Sequence, residues 1–375
     1  MRIIALALSL LMVLPAIQAQ TKTEAYEFFN QAIEKFKGKD YKGAVIYYTK
    51  AIEVNEDYTK AYYNRGNAKL NLKDYKGAIM DFNKVVSLDP EFKKAYLYKG
   101  YALMKLNVLE ASVPAFTNAI KLDENYHEAY LNRGTVFMKL KKYDAAMKDL
   151  SKSLQINPDQ YTAAFNLGLC AHKVEDYNEA VSAFTTALSI KSNDPKALFN
   201  RGKAYMRAEK YEQAHSDFNL SARYNPNNDY AHYYKGYCKL LNEDLNGAIS
   251  DFSDALEINP GLKSAKHNRA IAYFQSGLYE EAIKDYTDLI STSDIKDELY
   301  INRAISYTRI DNPKAAYKDL SKAISLNPKK PEAFYNRASV NITLKNEAEA
   351  CKDMKSAAQL GFRQAFELVD DLCDK

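Results

Sequence analysis

The sequence predicts an all-α protein, a solenoid of ten 34-residue helical hairpins closed by one more helix at its C-terminal end. Three observations predict it. Self-similarity with a period of 34 runs from residue 25 to residue 364 without insertion or deletion, in units beginning at Ala25, Thr59, Lys93, His127, Tyr161, Pro195, Asp229, Lys263, Asp297 and Pro331. Position 8 of every unit is Gly or Ala, position 20 is Ala except for Ser112, and position 24 is a large apolar residue such as Phe82, Phe116, Phe184, Phe218 or Phe252. Within a unit, positions 4, 8 and 11 form one helical stripe and positions 20, 24, 27 and 28 another. Small residues let two helix backbones approach, and large ones fill the space beside them.

Length and composition fit that architecture. A chain of 375 residues is too long for one ordinary core, and 47% hydrophobic with 27% charged residues excludes a disordered chain. The formal charge is +4, with no dominant block of one sign, which argues against a generic nucleic-acid binder.

Residues 1–19 read as a signal peptide: Arg2, an apolar run from Ile3 to Leu14, and Ile17-Gln18-Ala19 as a cleavage site before Gln20. A membrane anchor would need roughly 20 apolar residues. No cysteine follows the cleavage site, so a lipid anchor is not indicated. The expectation is an exported protein, periplasmic or secreted, with residues 20–24 as a lead-in and repeats over 25–364.

Between the helices of a unit, Gly, Asp or Asn precedes an aromatic, as in Lys73-Asp74-Tyr75, and Pro90, Pro158, Pro226, Pro260 and Pro328 punctuate the end of second helices. Pro195 and Pro331 open first helices, where the amide has no partner anyway. Pro114 lies deeper and is expected to disturb the start of its helix. Arg363 to Cys373 reads as a further helix, so residues 365–375 are assigned as the cap that covers the open end of the solenoid.

The small residue at 8, Tyr or Phe at 11 in several units, Ala at 20, an aromatic at 24 and Pro at 32 resemble the tetratricopeptide repeat. The resemblance implies a right-handed superhelix with the first helices lining its concave side, and a protein or peptide partner. Ala164, His232 and Lys266 at position 4, and Glu347 at position 17, depart from the pattern.

Repeats and cap leave no room for a catalytic domain. There is no nucleophile elbow, phosphate-cradling glycine loop or paired-cysteine metal spacing, and His127-Glu128 lacks a second histidine because Leu131 stands in its place. No enzyme, cofactor or metal is expected. Position 7 carries Arg65, Arg133, Arg201, Arg269, Arg303 and Arg337, and each of those units has Asp at position 23: Asp81, Asp149, Asp217, Asp285, Asp319 and Asp353. Where position 7 is Leu167 or Gln31, position 23 is Ala183 or Tyr47. This correlation predicts structural ion pairs inside hairpins, with Lys235 and Asp251 as a seventh.

The groove is read from positions 2, 5, 6, 9, 12 and 13. Position 6 is Asn in eight units, among them Asn64, Asn132, Asn166, Asn200, Asn268 and Asn302, similar to the asparagine ladder of the O-linked N-acetylglucosamine transferase superhelix. Such amides can bond the backbone of an extended chain, or a neighbouring helix. Position 5 adds an apolar row including Tyr63, Phe165 and Phe199. Positions 2, 9 and 13 over repeats one to six carry nine basic residues, including Lys60, Lys94, Lys196 and Lys203, against Glu128. The expectation is a non-enzymatic scaffold that holds an acidic extended segment along repeats two to six. The alternative is an assembly module that docks folded partners on its convex face or ends. Cys351 and Cys373 are equidistant from residue 362, beside the Gly361 turn, and are candidates for a disulfide, whereas Cys170 and Cys238, two repeats apart, are expected to be free.

Overall fold

In repeats two to nine a 13-residue helix and a 14-residue helix follow one another in constant register, as in Thr59–Asn71 and Tyr75–Leu88. The computed structural model describes residues 22–294 and 296–373, so the proposed signal peptide and residues 20 and 21 lie outside the described residues. The first helix covers 22–37, taking in the last residues assigned to the lead-in.

What reverses the chain inside each hairpin is position 15. Nine non-glycine residues there, Lys39 to Lys345, adopt φ between 55° and 64°, and Gly277 adopts 79°. A left-handed residue ends the first helix, at a cost of about 1 kcal/mol when it carries a Cβ. The next residue then caps the second helix: Asp74 Oδ1 accepts from the Gly77 amide at 2.9 Å, and Asp40, Asp176, Asp244 and Asn312 do the same in their repeats. Among the described residues, six second helices end on an Asn or Asp (Asn55, Asp89, Asp123, Asn157, Asn259 and Asn327) whose side chain accepts from the amide two residues on, as Asp89 does from Glu91 at 3.1 Å.

Close approach inside the hairpin comes from position 8. A Cβ built on Gly100 or Gly168 would stand 2.7 Å from the ring of Phe116 or Phe184, a separation real Cβ atoms do not reach. Those rings are fully buried. Pro114 does not displace its helix, which spans Leu109–Leu122 in the register of the other second helices. Val108 precedes it without a side-chain cap, and Ser112 Oγ donates to the Leu109 carbonyl at 2.6 Å.

The described helices form two compact units divided between Ser192 and Asn193. The N-terminal unit stacks repeats one to five. The C-terminal unit stacks repeats six to ten and ends in the helix Arg363–Cys373. Within each unit every second helix packs on the first helix of the next repeat, and successive first helices also touch, which makes them a continuous layer. The last helix rests on repeat ten through Ala365 and Val369 against Ala357 and Ala358, after Gly361 at φ 89°. No described helix is long and apolar enough to cross a membrane.

Candidate functional site

The arginines at position 7 are held inside the hairpins. Arg133 donates from Nε and Nη2 to the two carboxylate oxygens of Asp149 at 2.7 and 2.8 Å, and Arg201–Asp217, Arg269–Asp285, Arg303–Asp319 and Arg337–Asp353 repeat this fork. Arg65 reaches Asp81 at 2.7 Å, and Lys235 reaches Asp251 at 2.8 Å. All seven carboxylates are buried. Their hydrogen bonds hold the guanidinium groups of Arg201, Arg269, Arg303 and Arg337 above the ordinary arginine range. Position 11 completes the pocket around each charge: Lys69 or Lys239 brings a second cation within 3.0 Å of the carboxylate, Asn341 donates to Asp353, and Phe137, Tyr273 or Tyr307 lies beside the guanidinium.

One partner of these arginines was not anticipated. Arg133 Nη1 donates to Thr117 Oγ1 of the preceding repeat at 3.0 Å, and Arg65, Arg269, Arg303 and Arg337 do so to Thr49, Ser253, Thr287 and Ser321. The signal lay at position 25, where a hydroxyl precedes each of these arginines and Asn83 or Asn219 precedes Lys99 or Lys235. Each guanidinium therefore joins three helices from two repeats.

The row at position 5 packs against aromatic side chains of its own and neighbouring repeats, with Tyr63, Phe165 and Phe199 half-buried. Tyr63 packs on Phe82, Phe92 and Tyr98, Phe165 on Phe184, and Phe199 on Phe218 and Tyr234, while Phe29, Leu97 and Ile301 are buried. These side chains fill space between repeats. Burial pushes the Tyr63 hydroxyl up to about 12.

The asparagines of position 6 divide into two groups. Asn132, Asn200 and Asn336 donate to the carbonyls of Glu128, Lys196 and Glu332, one turn back in their own helices. Asn166 donates to Thr135 and Asn268 to Tyr233, both in the preceding repeat. Asn64 and Asn302 instead line cavities on the first-helix layer.

Charge is uneven along that layer. In the N-terminal unit, positions 2, 9 and 13 carry Lys37, Lys60, Lys94, Lys105, Lys139 and Lys173, all exposed, against Glu128. Lys37 meets Glu34 at 3.0 Å in an exposed pair worth little. In the C-terminal unit the same positions hold exposed Lys196 and half-buried Lys203, the latter 5.9 Å from the Phe199 ring, with Arg207 and Arg309 against Glu298 and Glu332.

Cys351 and Cys373 are joined, with Cα atoms 5.2 Å apart, and tie the last helix to repeat ten. Cys170 and Cys238 are buried thiols, pushed by burial up to about 11 and about 12. Burial also lowers His215 below the ordinary histidine range. Among the described residues no group of His, Cys, Asp and Glu is arranged to hold a metal ion.

Tetratricopeptide repeat models match residues 59–92, 127–160, 161–194, 199–263, 264–293 and 297–330, more than half of the chain. No curated protein matches it. Among solved structures, the C-terminal part of a TPR repeat-containing protein from Cytophaga hutchinsonii has 19% identity over 63% of this chain and 97% of that one, with a TM-score of 0.56, a likeness of fold. YrrB, described as a TPR protein with an unusual peptide-binding site, has 23% identity over 50% of this chain and 97% of its own, with a TM-score of 0.48. A tetratricopeptide repeat protein from Parabacteroides merdae has 24% identity over 66% and 97%, with a TM-score of 0.46.

Proposed function

The chain belongs to the tetratricopeptide repeat family, and from that premise we propose that it is a non-enzymatic scaffold for protein–protein interaction, exported from the cytoplasm, whose N-terminal unit holds an acidic extended segment of its partner. The observation that carries the reading is the row of six exposed lysines against one glutamate on the first-helix layer of repeats one to five. Positions 13 lie near helix C-termini, where lysine favours the helix dipole whatever the ligand. Lys60 and Lys94 at position 2 sit at the opposite end of the helix, where the dipole disfavours them, so a ligand accounts for them better. A polyanionic segment laid along the layer neutralises both sets.

Export is supported by the leader-like residues 1–19 and by the Cys351–Cys373 bridge, a bond that persists in oxidising compartments. Complementary charge accelerates association and makes it salt-sensitive. Fluorescence anisotropy of a labelled glutamate-rich peptide should show binding at about 50 mM salt that weakens at least tenfold by about 500 mM. Substituting Lys60→Glu, Lys94→Glu and Lys139→Glu together should abolish it. Binding that ignores both salt and the substitutions removes the acidic-segment reading.

A further inference from the structure

Tyrosine stands at position 24 in repeats one and eight alone, as Tyr48 and Tyr286, and in both repeats position 8 is alanine, Ala32 and Ala270. Each tyrosine is 2% exposed, and its hydroxyl makes no hydrogen bond among the described residues. Burial pushes both hydroxyls up to about 12, so they remain protonated donors. Each lines a cavity on the first-helix layer, of about 470 Å³ at Tyr48 and about 290 Å³ at Tyr286. The same three positions recur in both walls: Phe36 and Phe274 at position 12, the tyrosine at 24, and Asn64 and Asn302 at position 6 of the next repeat. The side-chain amides of these two asparagines make no hydrogen bond among the described residues, whereas those of Asn132, Asn166, Asn200, Asn268 and Asn336 all donate within the protein.

A hydroxyl at the edge of a buried ring and an uncommitted amide beside an aromatic wall call for a ligand with a flat apolar body and a polar tip. A purely apolar occupant would leave both polar groups without partners. Phe36 and Tyr98, both in the wall of the larger cavity, offer surface on which an aromatic ring can pack. We propose that this cavity of the N-terminal unit receives a tyrosine side chain of the partner, its hydroxyl bonding Tyr48 and Asn64. The flanking positions Lys60 and Lys94, on the first helices of repeats two and three, favour acidic neighbours for that tyrosine; this part rests on the reading of the groove given above. The smaller cavity, with Ile271 and Ile305 in its wall, offers the same anchor in a more apolar setting.

The test uses labelled peptides with one central Tyr, Phe or Ala, made in glutamate-rich and in serine-rich form, titrated with residues 20–375 and followed by anisotropy. Tyrosine peptides should bind about tenfold more tightly than phenylalanine peptides in both forms, because a site built around a hydroxyl rejects the analogue that lacks it. The Tyr48→Phe, Tyr286→Phe protein should bring that ratio to about one. Asn64→Ala, Asn302→Ala should do the same without touching a buried ring, and circular dichroism checks that both remain helical. Equal binding of tyrosine and phenylalanine peptides by the unmodified protein overturns the inference, as does a tenfold preference that survives both sets of substitutions. A tyrosine preference that persists while glutamate and serine flanks bind equally supports the pocket and refutes the acidic groove.

Discussion

Repeats four and five share one frame, one unit and one hairpin geometry, but close the hairpin with opposite chemistry. Repeat four brings Arg133 onto Asp149 and Thr117, three helices linked by charge and hydrogen bonds. Repeat five places Leu167 and Ala183 at the same positions, 4% and 3% exposed, in an apolar cluster with Leu150 and Cys170. The hairpin therefore does not need the ion pair to form. What the pair adds is direction, because an arginine fork has one good geometry on a carboxylate and one on a hydroxyl, whereas apolar surfaces tolerate small slides. The charge pair is best understood as a register device along the stack, with stability supplied by the buried apolar side chains around it.

Six changes break or sharpen that contrast. Asp149→Ala leaves Arg133 part-buried and unpaired and should cost about 3 kcal/mol, read as a lowered urea midpoint by circular dichroism. Gly168→Ala forces a Cβ against the rigid Phe184 ring and should cost about 1–2 kcal/mol net of the helix propensity gained. Gly134→Ala meets Leu150 Cγ at 2.9 Å with the Ala146 carbonyl and Asp149 Cβ at 3.2 Å, and should cost a similar amount. Thr117→Val should cost about 1 kcal/mol by removing one hydrogen bond to Arg133, while Ser151→Ala, which precedes Leu167, should leave stability unchanged. The double change Arg133→Leu, Asp149→Ala, which copies repeat five into repeat four, should fall within about 1 kcal/mol of the unmodified protein. A loss equal to that of Asp149→Ala alone would show that the pair contributes stability rather than register.

The frame of the repeats was legible because no insertion interrupts the period, and the Arg–Asp pairs because each repeat serves as a control for the others. Thr117 and its equivalents escaped because that bond crosses from one repeat to the next, while the comparison was made within units. Position 5 was open to two readings, a contact surface or packing on the neighbouring repeat, for a related reason: ideal helical spacing places Tyr63 on one side of its own helix but says nothing of Phe92 and Tyr98, which pack against it. The asparagine ladder looked uniform as letters. In three dimensions the local carbonyls compete for the amides, and Asn132 and Asn200 yield to them while Asn64 does not. The left-handed residues at position 15 gave no signal, since Lys, Glu, Asn and Asp fill a place where glycine would be the obvious choice.

The bridge between Cys351 and Cys373 bears on how the stack comes apart. In a linear array each repeat is supported by its neighbours, so opening begins at an end, where a neighbour is missing. Tying the last helix back across 22 residues of chain clamps the C-terminal end of its unit. Oxidation thus closes the end at which the last helix would otherwise fray first, and reduction would set that helix free to open.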